Sequence, residues 1–364
     1  MKVRSTFRVV NTVGSTWFVR PRTPGRLVMA VTRRCNLRCS MCHTYDLEPG
    51  DELSADEIGS LCATIPNLTW LDVTGGEIFL RKDIAEVFDA ILANSPRLAV
   101  LHFPTNGWFG DRVLEVIKRI ISQRPDLDVL ITVSLDGPKS LHDQIRGQEG
   151  SFQRALDTFQ RIRNLAGVEA YIGTTVSRMN EQAMDAMEQE LRRAIPDFNQ
   201  RLWHKNWLQI SEHFFGNASD VESQPANGAA LAASHRASRG IPRSAVDLME
   251  WAFLVNLESY LKGDRLGFSC QALHGSAFVS ADGFLYPCHV YDRPLGNLRD
   301  WDLNLAALWS SAEVIEARKD VEELACGGCF TPCEAYPAIA GSPLKAGLRT
   351  LQRAVTNAAR RVRI

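Results

Sequence analysis

Eight of the nine cysteines in this 364-residue chain fall into two well-separated groups. The first group comprises Cys35, Cys39 and Cys42, and the second comprises Cys270, Cys288, Cys326, Cys329 and Cys333. Thiolates are ligands of soft metals and of iron–sulfur clusters. The N-terminus lacks the uninterrupted apolar core of a secretory signal, which predicts a reducing, cytoplasmic location. In that location clustered cysteines indicate metal binding or catalysis rather than disulfides.

The spacing of the first group favours an iron–sulfur cluster over a zinc ion. A structural zinc site takes four nitrogen or sulfur ligands, usually as two pairs, whereas this C-x3-C-x2-C segment supplies three thiols. His43 follows Cys42 directly and is poorly placed to bind the same ion. Three thiolates can hold three irons of a four-iron cluster and leave the fourth iron open to a ligand. For the second group, a zinc ribbon remains the alternative.

Apolar segments that alternate with amphipathic ones must position these cysteines. Six near-continuous apolar runs, typical of parallel strands covered on both faces, begin at Leu27, Leu68, Leu98, Asp128, Ala170 and Trp207. Together with the helical segments between them they predict an α/β fold, either a barrel or partial barrel or an open doubly wound sheet. In a barrel, chemistry lies on the loops that follow the strands, and the first cysteine group occupies the first such loop.

At this point the segment CNLRCSMC resembles the cluster motif of the radical S-adenosylmethionine (radical SAM) superfamily. The resemblance implies a partial (β/α)6 barrel in which Cys35, Cys39 and Cys42 hold a 4Fe-4S cluster. SAM would bind the open iron and be cleaved reductively to a 5′-deoxyadenosyl radical, which abstracts a hydrogen atom from the substrate. The residue before the third cysteine, often aromatic in this family, is Met41 here.

Three further motifs resemble those of the same family. They are TGGE from Thr74, PTNG from Pro104 and SLDGPKSLHDQIRG from Ser134. The resemblance implies that SAM is bound by Gly75, Gly76, Glu77, Asn106, Ser134 and Arg146. Within this set the GGE segment would meet the SAM amino group, and Ser134 and Arg146 would meet its carboxylate.

The second cysteine group resembles the SPASM and twitch extensions of radical SAM enzymes. Cys270 and Cys288 are separated by 17 residues, and the later cysteines are spaced C-x2-C-x3-C. Five thiols cannot fully ligate two four-iron clusters, so the resemblance implies one auxiliary 4Fe-4S cluster. Its expected ligands are Cys270, Cys288, Cys326 and Cys329, with Cys333 able to replace one of them.

The expected organisation of the chain follows from these assignments. It comprises an N-terminal extension (1–26), the radical SAM partial barrel (27–215), a linker and helix (216–265), a small loop-rich SPASM- or twitch-like domain (266–340) and a basic C-terminal helix (341–364). The last segment carries six Lys or Arg and no acid from Ser342 onward. It is expected to be a solvated helix face, with weak membrane-surface contact as the alternative.

The expected function is radical SAM chemistry on a sugar, an aminocyclitol or a similar metabolite. A maturase of a ribosomally synthesised peptide is the first alternative, and a zinc-stabilised binding protein without catalysis is the second. An external electron donor such as flavodoxin or ferredoxin is expected. The net charge of −1 gives no support to a nucleic-acid partner, and no apolar run approaches the roughly 18 residues of a membrane span.

Overall fold

A single twisted sheet of nine strands forms the centre of the computed structural model, which describes residues 21–264, 269–326, 328–341 and 347–354. The strand order is β6-β5-β4-β3-β2-β1-β7-β8-β9. The strands are β1 Arg26–Thr32, β2 Trp70–Gly75, β3 Val100–Thr105, β4 Asp128–Ser134, β5 Val168–Val176, β6 Trp203–Trp207, β7 Ser276–Val279, β8 Phe284–Tyr286 and β9 Gly296–Asn297. Strands β1 to β6 pair in parallel with their neighbours, which confirms the predicted α/β class.

Helices connect consecutive strands and cover the outer face of the sheet. They are α1 Ala55–Ala63, α2 Ile84–Asn94, α3 Gly110–Gln123, α4 Lys139–Arg146, α5 Ser151–Ile162, α6 Met184–Ala194, α7 Gly228–Arg239, α8 Ala245–Tyr260, α9 Leu305–Trp309, α10 Ala312–Glu323 and α11 Pro332–Gly341. The start of α1 is a capping box in which Ser54 and Glu57 satisfy each other's backbone N–H.

The two faces of the parallel sheet have different chemistry. Leu27, Met29 and Val31 of β1 are buried in the main apolar core beneath the helices. The alternate residue Val28 belongs to a separate small cluster and lies in register with Asp72 of β2. Because side chains alternate between faces along a strand, Asp72 points to the inner face of the sheet. That inner face therefore carries polar side chains.

The second cysteine region continues the same sheet. Strand β7 pairs in parallel with β1, and β8 and β9 extend it as antiparallel strands. Helix α11 then returns to the start of β1, where the Arg26 guanidinium donates to the Cys333 backbone oxygen. The Ser276 hydroxyl donates to Glu334 over 2.8 Å, which ties α11 to β7. The auxiliary region and the barrel therefore share one continuous sheet.

The sixth strand lies earlier than the apolar run starting at Trp207 predicts. Strand β6 alternates the buried Trp203 and Trp207 with the half-buried His204 and Asn206. One face of this strand meets the polar interior, so its sequence alternates instead of being continuously apolar. The predicted run begins at the last residue of β6 and continues as a loop. In that loop Leu208 N still donates a hydrogen bond to Val176 O of β5 at 3.0 Å.

The linker region is more ordered than its composition predicts. Its Gly-, Ser- and Asn-rich sequence indicates a loop, yet α7 forms within it, before the predicted helix α8. Alanine has the highest helix propensity of any residue, and α7 contains five alanines, of which Ala232 and Ala233 are buried. Composition alone therefore hides this helix.

Other expectations fall largely outside the described residues. These include most of the N-terminal extension and most of the basic C-terminal segment, of which residues 347–354 are described and helical. No helix in the described parts of the chain is both long and apolar enough to span a bilayer.

Candidate active site at the carboxyl ends of the strands

The first three cysteines lie on the loop that directly follows β1. Cys39 is buried, and Cys35 and Cys42 are half-buried. They pack around a small apolar cluster that includes Leu37 and Met41. Burial, with smaller contributions from the neighbouring thiols and Glu77, raises the pKa of Cys35 to about 12, although a backbone hydrogen bond opposes the shift. Bound iron would therefore be needed to keep these groups as thiolates.

Helix α4 holds this loop through its C-terminal carbonyls. Arg38 N donates to Arg146 O at 3.2 Å, and Ser40 N donates to Ile145 O at 2.9 Å. The helix ends at Gly147, which adopts a left-handed conformation with φ +66°. A Cβ atom there would lie 2.6 Å from Arg38 O, so only glycine allows the helix end and the loop to approach this closely.

Arg146 connects the loop to the end of β4. Its Nε donates to Asp136 Oδ2 at 2.6 Å, and its Nη1 lies 3.7 Å from Cys39 Sγ. Asp136 is fully buried and also accepts from Thr175 N at 2.8 Å. Although burial alone would lower the pKa of Arg146, Asp136 and Cys39 raise it. A fixed positive charge therefore lies beside the second cysteine.

The TGGE segment supports the other side of the loop. Gly76 N donates to Thr32 O and Glu77 N to Arg34 O, both at 2.9 Å. A Cβ atom on Gly76 would lie 2.3 Å from Arg34 O. The glycines therefore let the end of β2 lie directly against the backbone that enters the cysteine loop.

Glu77 lies beneath this contact with its carboxylate fully engaged. It accepts hydrogen bonds from Thr105 Oγ1 at 3.0 Å, Asn106 N at 2.7 Å and Phe79 N at 3.2 Å. Burial raises its pKa to about 7, although these hydrogen bonds oppose that shift. Contact between Glu77 and a SAM ammonium remains a prediction, and it requires one of these hydrogen bonds to be exchanged.

The remaining predicted SAM residues lie around the same loop. Asn106 donates from Nδ2 to Asn36 Oδ1 at 2.9 Å, which joins the PTNG segment to the cysteine loop. Ser134 is the last residue of β4 and is half-buried. The structure thus brings all three motifs to the carboxyl ends of β2, β3 and β4, next to the cysteines.

A fourth segment, residues 211–217, contacts the loop and was missed from the sequence. The Thr44 hydroxyl donates to Phe214 O at 2.8 Å and lies 3.1 Å from Cys42 Sγ. Asn217 is fully buried and donates to Met41 O at 3.0 Å. The signal available in the sequence is the Gly216–Asn217 turn, with Gly216 at φ +63°.

Four cysteines of the second group line one cavity with an empty volume of about 490 Å³. They are Cys270, Cys288, Cys326 and Cys329, joined by apolar side chains that include Val321, Leu324 and Phe330. Among the described residues, no three Cys, His, Asp or Glu side chains converge on a single ion position. Soft thiolate donors in an apolar shell fit an iron–sulfur cluster.

Cys333 lies apart from that cavity. It is absent from the cavity lining, and its backbone oxygen accepts from Arg26. Burial raises the pKa of the Cys333 thiol to about 11, and Arg26 opposes the shift. The fifth thiol therefore lies beside Arg26 at the start of β1 and outside the cavity that the other four cysteines line.

Comparisons with known proteins agree with both sites. The family model of the radical SAM superfamily matches residues 29–190, and that of SPASM, an iron–sulfur cluster-binding domain, matches residues 270–330. Residues 29–190 belong to the radical SAM superfamily. The chain is a radical SAM enzyme with a C-terminal SPASM domain, and its cofactors are SAM and 4Fe-4S clusters.

Two relatives of this radical SAM enzyme cover most of its length. The sporulation killing factor maturation protein SkfB of Bacillus subtilis (strain 168) is 23% identical over 331 residues, which cover 84% of this chain and 69% of SkfB. An AdoMet-dependent heme synthase of Oleidesulfovibrio alaskensis is 25% identical over 324 residues, which cover 82% of this chain and 78% of the synthase.

A solved structure supports the architecture. SuiB of Streptococcus suis, bound to its precursor peptide SuiA, superposes with a TM-score of 0.58 at 12% identity. The match covers 86% of this chain and 70% of SuiB. At this level of identity the likeness shows the fold, and it confirms the predicted radical SAM partial barrel.

Proposed function

We propose that this radical SAM enzyme matures a ribosomally synthesised peptide, by crosslinking, oxidising or epimerising one of its residues. The observation that carries the proposal is the likeness to SkfB, a maturation protein, over 84% of the chain. The likeness in fold to SuiB with its precursor peptide supports it. A sugar or aminocyclitol, the substrate expected from the sequence, has no counterpart among these relatives, so the peptide alternative is preferred.

In this proposal the first site generates the radical. Cys35, Cys39 and Cys42 would hold the 4Fe-4S cluster, which when bound supplies the electron for SAM cleavage. The chain's own contribution is to orient SAM and to exclude water. Gly75, Gly76, Glu77 and Asn106 would lie at the SAM amino group, and Ser134 and Arg146 at its carboxylate.

The second site would hold one auxiliary 4Fe-4S cluster. Its ligands in the proposal are Cys270, Cys288, Cys326 and Cys329, because these four share the cavity and Cys333 does not. We keep the domain limits predicted from the sequence, 27–215 for the barrel and 266–340 for the auxiliary domain, although the two regions share a sheet.

The proposal also includes an electron donor and a location in the cell. An external donor such as flavodoxin or ferredoxin would reduce the first cluster. A cytoplasmic location agrees with nine free cysteines.

A second candidate function is a step of heme synthesis. It is favoured by the heme synthase match, which covers a larger share of that relative's length than the SkfB match covers of SkfB. An iron porphyrin is therefore the alternative substrate to be tested.

The test uses the full chain, purified and reconstituted without oxygen. Iron, sulfide and zinc are counted, and SAM is added with dithionite in the presence of each small peptide encoded beside the gene, or of Fe-coproporphyrin III. Mass spectrometry then follows the substrate and 5′-deoxyadenosine. We expect about eight irons per chain, a mass change on one peptide, and loss of 5′-deoxyadenosine in Cys35→Ala, Cys39→Ala and Cys42→Ala.

The other outcomes separate the alternatives. Turnover of the porphyrin and of no peptide replaces the proposed function with the second candidate. About four irons and one zinc would keep the radical chemistry but make the second site structural. SAM cleavage that responds to no peptide and no porphyrin would reject both substrates.

A further inference from the structure

Each of the six parallel strands places one polar side chain in a row across the inner face of the sheet. The row consists of Arg26, Asp72, His102, Thr132, Tyr171 and His204, and is called the polar belt below. None of its members belongs to either cysteine site. The belt lies deeper in the barrel than the loops that carry the three motifs, because its residues precede the carboxyl ends of their strands.

One half of the belt is a continuous chain of polar contacts. Arg26 Nη2 lies 2.7 Å from Asp72 Oδ2, and Asp72 Oδ1 lies 2.8 Å from His102 Nδ1. His102 Nε2 lies 3.0 Å from Thr132 Oγ1. Arg26 and Asp72 are almost completely buried, whereas the His102 side chain remains 27% exposed. The imidazole is therefore the part of this chain that faces the open interior.

The other half continues the row to the last parallel strand. Tyr171 lies in register with Thr132, and its ring centroid lies 4.5 Å from that of His204. His204 Nδ1 lies 3.8 Å from Glu250 Oε2 of α8, and Glu250 also accepts from the Tyr336 hydroxyl of α11. Burial lowers the pKa of His204, and His102 is among the groups that lower it further. Each imidazole of the belt is thus backed by a carboxylate, His102 by Asp72 and His204 by Glu250.

One glycine fixes the position of Thr132 in the belt. Gly173 of β5 lies in register with Ser134 at the end of β4. A Cβ atom on Gly173 would lie 2.4 Å from Thr132 Cγ2, so any larger residue would displace the belt. The glycine therefore lets β5 lie directly against Thr132, whose hydroxyl contacts His102.

The charge arrangement sets the tautomer of His102. Burial raises the pKa of Asp72, but Arg26 and His102 outweigh it and the net shift is downward. Asp72 is therefore a carboxylate and can only accept, so Nδ1 of His102 carries the hydrogen, and the lone pair of Nε2 accepts from the Thr132 hydroxyl. Buried ion pairs such as Arg26–Asp72 rarely add stability over apolar residues. Their role here is to orient a base.

We propose that the polar belt is the floor of the substrate site and that His102 Nε2 takes a proton from the substrate through the Thr132 hydroxyl. The substrate proton comes from an O–H, N–H or S–H group of the residue that is modified. That bond breaks and its electron pair stays on the substrate heteroatom, a new O–H bond forms on Thr132, and the proton that Thr132 carried before forms a new N–H bond on the imidazole. The substrate residue is thus one with a hydrogen-bond donor, such as serine, threonine, cysteine or lysine. This inference rests on the proposed function.

The experiment compares wild-type enzyme with His102→Gln, using the peptide that the wild type turns over. Glutamine keeps a polar group at this depth but cannot act as a base. His274→Gln, outside both sites and the belt, is the matched control. Two quantities are measured, 5′-deoxyadenosine with deuterium transferred from labelled substrate, and the mature product. We expect labelled 5′-deoxyadenosine within about threefold of wild type and product reduced by roughly 100-fold or more.

Two results would overturn the inference. One is product formation by His102→Gln within about threefold of wild type. The other is a parallel fall of 5′-deoxyadenosine and product, which would mean that His102 acts on radical formation or on the fold. Failure of the wild type to turn over any peptide is a separate result, since it rejects the proposed function on which the inference rests.

Discussion

The loop that carries Cys35, Cys39 and Cys42 is held by backbone hydrogen bonds on two sides, whereas the four cysteines of the second cavity come from separate segments and face apolar side chains. In the first site, backbone groups of α4 and of the TGGE segment form hydrogen bonds with the backbone of the loop. In the second, Cys326 is exposed at the end of the segment that follows α10.

The difference reflects what each site has to do. A radical must be aimed at one C–H bond, so the loop that positions SAM has to hold its shape before the cofactors bind. In the auxiliary site, burial raises the pKa of Cys270 and Cys288 well above the usual range. Those thiols remain protonated without iron, so metal binding and local folding are coupled there.

The largest predicted effect is loss of the auxiliary cluster, and it tests the difference between the two cysteine sites. Cys329→Ala should lower the iron content by about half, because one of two four-iron clusters loses a ligand. Cys333→Ala, outside the cavity, should retain about eight irons. Iron and sulfide assays with electron paramagnetic resonance of the reduced protein measure both. Loss of iron in Cys333→Ala with retention in Cys329→Ala would reverse the ligand assignment.

A smaller effect should show why the TGGE segment needs glycine. The reason is either close contact with the backbone that enters the cysteine loop or the backbone conformation alone. Gly75→Ala, at a backbone φ of +149°, places a Cβ atom 2.3 Å from Thr32 O, at the start of the cysteine loop, and should destabilise the fold by about 1–3 kcal/mol. Its SAM cleavage should fall at least tenfold. Gly150→Ala is the control, since Gly150 also has a positive φ of +81° but an added Cβ atom there would meet no other atom within 4 Å. It should cost about 1 kcal/mol of strain and leave SAM cleavage intact.

Equal loss of SAM cleavage in the two glycine variants would show that conformational strain, and not contact with the cysteine loop, explains the glycine. Thermal unfolding and a 5′-deoxyadenosine assay on the same preparations decide between these interpretations.

The smallest effect concerns pH at the helix that holds the first loop. Burial lowers the pKa of His142 to about 4, and Arg146 adds to the shift. The folded protein keeps this ring neutral while the unfolded chain binds a proton below about pH 6.5. The contribution of His142 to stability is therefore complete above pH 6.5 and is lost as the pH falls towards 4, by about 2 kcal/mol at pH 5.

The matched variant is His142→Asn, because asparagine can accept the hydrogen bond that Asp136 N donates to His142 Nδ1 at 3.0 Å and does not titrate. Anaerobic urea unfolding at pH 7 and pH 5 should show a smaller loss of stability in the variant. An identical loss in both proteins would assign the acid sensitivity to other groups.

Much of the first site could be predicted because its parts are local. Three thiols within eight residues, TGGE and PTNG each lie on one loop, and apolar runs place those loops at the carboxyl ends of parallel strands. The position of the sixth strand was predicted wrongly because the prediction relied on a continuous apolar run. In β6 the inward side chains are polar, and that depends on what the opposite strands place inside the barrel.

The choice among the five later cysteines could not be made from spacing. Cys329 and Cys333 are separated by three residues, yet the first lines the cavity and the second contacts Arg26. The start of α11 turns Cys333 towards β1, and the pairing of β7 with β1 sets where that helix lies.

By itself, then, the amino-acid sequence determined the chemistry of this protein: the three-thiol loop, the SAM motifs and the family to which they belong. Only the tertiary structure decided which thiols share a cavity and that a row of polar residues runs from Arg26 to His204. The physical reason is that ligand spacing within one loop is a local property of the chain. A row across six strands depends on register and on the alternation of side chains, which bring together residues far apart in sequence.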